Sequence, residues 1–166
     1  MENFVTRVCT ALHQQGWTVL KQDAAPYQLP QSVSGRYHNL PAEWVEFLSC
    51  VRSCMSAEET TWFLCRDDFE RQDKDSFRWN EWELLSLQAA IDDQDAEWQN
   101  SIKAFWDDHL PVCLSVKGGY GYYAIRLSDG AVVHGTEPEF EETREAAPSF
   151  GRFLEMICSG ALVLDA

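Results

Sequence analysis

The sequence predicts an α+β fold, a twisted antiparallel sheet flanked by helices. Helical spacing of apolar residues gathers at the front of the chain, strand alternation follows from Leu110, and one helical pattern closes it. At 166 residues the chain is one domain-sized unit able to bury most of its apolar surface. Seven tryptophans, nine phenylalanines and five tyrosines can build a large core from few positions.

Phe4, Val5, Val8 and Leu12 recur at helical spacing, so residues 3–14 read as an amphipathic helix ending before Gly16. Trp17 to Leu20 suits a short strand, and Pro26 and Pro30 mark a connection. Leu40-Pro41 opens a helix, because the first turn tolerates proline's missing N–H. Trp44, Val45, Leu48 and Val51 fall on its inner face, with Phe47 at the edge. Glu43 and Glu46 suit the positive end of its dipole. Thr60 to Leu64 reads as a strand, and the polar run from Arg66 to Asp75 as a loop. Asn80 is positioned to cap a helix through about Ile91, packed by Trp82, Leu84, Leu85, Leu87 and Ile91. Trp98, Ile102, Phe105 and Trp106 predict another over roughly 95–108.

Leu110, Val112, Leu114 and Val116 alternate with Pro111, Cys113 and Ser115, the pattern of a strand with one buried face. Tyr120 to Leu127 and Ala131 to Gly135 continue it as a meander around the turn Ser128-Asp129-Gly130. Phe150, Phe153, Leu154 and Ile157 predict the closing helix, stopped by Gly160, with Ala161 to Leu164 as a short edge segment.

The net charge of −14 bears most directly on function. Such a surface repels phosphate backbones and acidic headgroups, so neither nucleic acid nor membrane is the expected partner. It suits a basic protein, and it also serves solubility. Residues 51–109 hold fifteen acids against six bases, so the middle of the chain is the acidic part. The start, MENFVTRVCTALHQQGW, lacks the basic-then-apolar order of a signal peptide, which predicts a cytoplasmic address and six reduced cysteines. Cys50, Cys54 and Cys65 lack zinc-finger spacing, and no metal site is expected.

Gly119-Tyr120-Gly121-Tyr122-Tyr123-Ala124 fits G-x-G-x-x-G/A, but that motif needs a helix after its glycines and strand residues follow here. No cofactor is expected. Asp67-Asp68, Asp92-Asp93-x-Asp95 and Asp107-Asp108-His109 admit a metal or acid–base reading, with His109 as proton carrier; solvated charge is the simpler one. No catalytic residue is assigned. If Glu137-Pro138-Glu139-Phe140-Glu141 is extended, its three glutamates share one face and Pro138 and Phe140 the other. That makes either an acidic ribbon with an apolar anchor for a basic partner or a solvated edge. Tyr120 and Tyr122 suit either cross-strand packing or exposed contact residues. Asp107, Asp108, Tyr120, Tyr122, Glu137, Glu139 and Glu141 are therefore the candidate partner-binding residues.

Several of these motifs together resemble the SUKH superfamily. They are Leu40-Pro41-x-x-Trp44-x-x-Phe47-Leu48, Phe105-Trp106 before Leu110-Pro111, Gly119 to Ile125, Asp129-Gly130-x-Val132-Val133-x-Gly135, Glu137 to Glu141, and Ser149-Phe150-x-x-Phe153-Leu154. The resemblance spans roughly residues 38–158, with 66–108 as a helical insertion. That superfamily includes a fungal cell-wall assembly regulator and many bacterial immunity proteins encoded beside polymorphic toxins. The resemblance implies a non-catalytic protein that binds a cognate toxin and blocks its active site or substrate channel; a regulatory adaptor and, from the residues alone, a small Asp/His or thiol enzyme are the alternatives. An acidic inhibitor of a nucleic-acid-targeting toxin would imitate the phosphate backbone.

Overall fold

A computed structural model describes residues 3–22, 25–70 and 77–164. Its frame is a seven-stranded sheet with every neighbouring pair antiparallel and the strands in sequence order. The strands are β1 (Thr18–Lys21), β2 (Val51–Met55), β3 (Thr61–Phe63), β4 (His109–Ser115), β5 (Gly121–Arg126), β6 (Val132–Thr136) and β7 (Thr143–Ala147). The helices are α1 (Phe4–Gln14), α2 (Gln31–Ser34), α3 (Ala42–Cys50), α4 (Arg66–Glu70), α5 (Glu81–Asp92), α6 (Ala96–Asp107) and α7 (Phe150–Ser159). The predicted α+β class and meander are what the chain forms.

Adjacent tyrosines on β5 show how the helices divide. Tyr123 meets Phe153 of α7, whereas Tyr122 meets Trp106 of α6. Successive strand residues point to opposite faces, so α7 and α6 cover opposite sides of the sheet. Phe47 of α3 joins the α7 side through Phe63 and Phe150, and α1 packs there too. This double cover corrects the reading of β4 as a strand with one buried face. From His109 to Leu114 every residue is buried, and Cys113 is as enclosed as Leu114. Pro111 sits in this central strand where the register with β5 shifts, a place that tolerates its missing donor.

Other elements differ from expectation in ways local chemistry explains. Helix α3 ends at Cys50, and Val51 begins β2 instead of extending the helix face. Phe47 is buried beside Trp44 and Leu48, while Val45 is exposed. Residues Arg66 to Glu70 form α4 rather than loop, with the Asp68 carboxylate accepting from the Cys65 N–H at 2.9 Å as a cap would; positions 71–75 of that expected loop lie outside the described residues. Asn80 occupies the N-cap position of α5 without a side-chain capping bond. Asp95 and Ser149 do cap α6 and α7, accepting from Trp98 N–H and Arg152 N–H at 3.0 Å each. Residues 161–164 follow α7 without forming a strand.

The inner face of α5 is Trp82, Glu83, Ser86 and Ala90, not the leucine set. Leu85 and Ile91 point to solvent, as does Trp98 on α6. A glutamate can replace a leucine inside because Arg36 reaches it with two bonds, of 2.7 and 2.8 Å. Such forked pairing is the geometry that compensates a buried carboxylate best.

Candidate functional site

The sheet's α6 side carries an aromatic column. Trp82 lies between Tyr120 and Phe140, with ring centroids 4.5 and 5.7 Å away and planes tilted by 16° and 4°. Its indole N–H donates to the Gly121 carbonyl at 2.8 Å. Helix α5 is thereby fixed to the start of β5 and to the turn after β6. Tyr122 lies beneath, its hydroxyl donating to the Phe140 carbonyl. A Cβ on Gly135 would stand 2.7 Å from the Tyr122 ring, so only glycine fits across the strand pair.

Between α5, α6 and the turn at 137–142 lies a groove of about 710 Å³. Leu85, Ala89, Trp98 and Phe140 supply its apolar surface, and Glu137, Glu139, Glu141 and Glu142 its carboxylates. Among the described residues no lysine, arginine or histidine lines it. Glu137, Pro138 and Glu139 are exposed, Phe140 is buried as the anchor, and Glu141 is half-buried. The segment is a turn closed by Glu142 N–H donating to the Glu139 carbonyl, and its Glu137–Pro138 peptide bond is cis. The extended ribbon with three glutamates on one face is therefore corrected: the bend turns Glu141 inward, away from the exposure of Glu137 and Glu139.

Glu141 differs from its neighbours. One carboxylate oxygen, Oε2, accepts from Ser86 Oγ at 2.9 Å and from Trp106 Nε1 at 3.0 Å. Burial pushes its pKa above the ordinary glutamate value, and those two donors oppose the shift. It forms no ion pair with any described residue, and neither do Glu137, Glu139 and Glu142.

The structure thus gathers four of the seven candidates, Tyr120, Glu137, Glu139 and Glu141, around one groove. Tyr120 is half-buried and stacked rather than freely presented. Tyr122 is 1% exposed, which corrects its reading as a contact residue, since it has no surface to offer a partner. Asp107 and Asp108 do not line the groove. Asp107 pairs with Arg36 at 2.8 Å, and Asp108 accepts from Ser128 Oγ at 2.8 Å. Sequence reasoning misses Glu142 and also Leu85, Ala89 and Trp98, because the spacing of Leu85 and Trp98 places them in helix cores.

The remaining motifs have structural roles. Ala124, the last position of the dinucleotide-like pattern, lies inside β5 with strand on both sides. Gly118 and Gly119 have φ of 72° and 129° in the tight link from β4, with the Glu137 carboxylate lying against Gly119. His109 is buried and stacked on Phe105 at 3.8 Å, with Nδ1 2.6 Å from the Phe105 carbonyl oxygen. Burial lowers its pKa below the ordinary imidazole value, and the Phe105 carbonyl opposes that shift. Of the cysteines, Cys9, Cys54, Cys65 and Cys113 are buried, and all six are free thiols. Among the described residues no three His, Cys, Asp or Glu side chains converge as metal ligands, and no helix is long and apolar enough to cross a membrane.

No family model, curated protein or solved structure matches the chain.

Proposed function

We propose that the protein is a non-catalytic binding protein that captures and neutralises a basic protein partner, in the manner of a toxin-immunity protein. The observation that carries this reading is the glutamate-rimmed groove. Four carboxylates surround an open apolar surface, no basic side chain lines the groove among the described residues, and none of the four forms an ion pair with a described residue. Carboxylates outside any ion pair give a local negative field that speeds the approach of a cationic surface and repels an anionic one. Apolar area among them gives a docked partner surface to bury, which the field alone does not provide.

Capture suffices for neutralisation when the partner uses the same basic surface on its own target. A toxin acting on nucleic acid presents such a surface, and an acidic face seated on it excludes the phosphate backbone. The rigidity of the site supports this mode, since the Trp82 stack holds the turn before any partner arrives and little ordering is required on binding. The SUKH resemblance of the sequence motifs points the same way.

The test is direct. The product of the neighbouring gene, if it is a toxin, is titrated with this protein by calorimetry at low and at high salt, and the pair is co-expressed in a growth assay. Tight binding that weakens as salt rises is expected, with rescue of growth. Affinity indifferent to salt, or growth arrest unrelieved by co-expression, contradicts the proposal.

A further inference from the structure

Two carboxylates on the α6 side of the sheet are withdrawn from water, and they are treated differently. Glu83 is buried at 4% exposure and held by Nη1 and Nη2 of the Arg36 guanidinium. Glu141, half-buried in the groove wall, has only the neutral donors Ser86 and Trp106. Withdrawn charges are ordinarily paired with a cation, because hydrogen bonds from neutral groups recover only part of the lost hydration. The described residues provide that cation for Glu83 and none for Glu141. Beside Glu141 the groove also leaves Leu85 40% and Trp98 39% exposed, on helices that bury Trp82 and Trp106 elsewhere on their surfaces. An indole face is itself a favoured seat for a guanidinium.

We infer that this groove is a docking site for a cationic amphipathic segment of the partner protein, in which an apolar side chain rests on Leu85, Ala89 and Trp98 and flanking arginines or lysines meet Glu137, Glu139, Glu141 and Glu142. The inference rests on the reading above that the partner is a basic protein, and it adds where that partner docks and what its docking segment contains. Charge complementarity selects this occupant. An acidic segment would place like charges against four carboxylates, and a purely apolar one would leave them facing a dry surface. A cationic segment without an apolar residue would leave Leu85 and Trp98 uncovered. The arginine that enters opposite Glu141 supplies there what Arg36 supplies to Glu83.

The probe is a short synthetic peptide with two leucines flanked by arginines, titrated into the intact protein by calorimetry and by NMR. One control peptide has glycines for the leucines; the other has glutamates for the arginines. The arginine–leucine peptide is expected to bind and to shift the Trp98 indole N–H and Leu85 methyl signals. The glycine control should bind about tenfold more weakly, the scale of one buried aliphatic side chain, and the glutamate control not at all. Leu85→Ser and Trp98→Ser, both at solvent-facing positions, should each weaken binding by about tenfold without lowering the melting temperature, while Asp107→Asn leaves it unchanged. Equal binding of the glycine control, shifts centred on Asp107 and Asp129, or no binding up to about a millimolar would overturn the inference. In those cases a salt-sensitive complex with the basic partner protein would still support the broader reading. Peptide binding in the groove without any neutralised partner would support the docking site and contradict the broader reading.

Discussion

The end of helix α6 and the turn after β6 are both rich in acid, and they differ in what faces the charge. At the first, Asp107 is paired with Arg36, and nearby in the hairpin Asp129 is clasped by Arg126 at 2.7 and 3.0 Å. The Arg126 bonds, with the Ala131 N–H, hold the Asp129 carboxyl down at about 2. At the second, Glu137, Glu139 and Glu142 form no ion pair with a described residue, and Glu141 has only neutral donors. A carboxylate already answered within the chain offers little to a visitor, whereas an unanswered one is available. Charge counted along the sequence does not separate these cases. Charge left over after folding does.

The largest effect should come from removing the support that the groove depends on. Trp82→Ala deletes the centre of the Tyr120–Trp82–Phe140 stack and its bond to Gly121, and should cost about 3–5 kcal/mol in denaturant unfolding. Binding to the basic partner should fall with it, because the turn loses its anchor. Full retention of both stability and binding would mean that the stack does not hold the site.

Next comes the contrast between the two withdrawn carboxylates. Glu83→Ala strands Arg36, and about 3 kcal/mol should be lost, the low end for a broken buried pair because Asp107 remains on the guanidinium. Glu141→Gln should be neutral or stabilising near pH 7, since the amide oxygen keeps both donors and the uncompensated charge disappears. The same urea titrations decide the matter. Equal losses would show that Glu141 is compensated after all.

A smaller effect separates the two regions by pH. The folded pKa of Glu141 lies above its ordinary value of 4.5, so its contribution is complete below 4.5 and lost as pH rises through the folded value. Wild type should therefore gain on Glu141→Gln as the solution is acidified. Asp129 has the opposite sign, its folded pKa of about 2 lying below the ordinary 3.8. Its contribution is present above 3.8 and fades as pH falls towards 2, so wild type should lose its lead over Asp129→Asn on acidification. Stability profiles of the three proteins from about pH 7 to about pH 2 would show the two differences from wild type changing in opposite directions, and parallel profiles would refute it.

Much of this is readable from residue order, and the misses share causes. Helix α7 is legible because Phe150, Phe153, Leu154 and Ile157 keep one spacing, with Ser149 and Gly160 at its ends. Strand β7 has the sequence TREAA, whose alanines and glutamate favour helix, and only pairing with β6 makes it a strand. The inner face of α5 is hidden because Glu83 depends on Arg36, 47 positions away. Leu85 and Trp98 have the spacing of core residues, so their exposure depends on where the rest of the fold ends. The glutamates at 137–141 are legible as a group, but the bend that separates Glu141 from the others is not.

The claim that unanswered carboxylates define the binding face is tested most directly by one matched pair of charge reversals. Glu139→Lys and Asp107→Lys change net charge identically, at two exposed positions, one in the groove and one outside it. Calorimetric affinity for the basic partner at one fixed salt should fall at least tenfold, about 1.4 kcal/mol, for Glu139→Lys and change less than about threefold for Asp107→Lys. Equal weakening by both, or greater weakening by Asp107→Lys, would contradict the account.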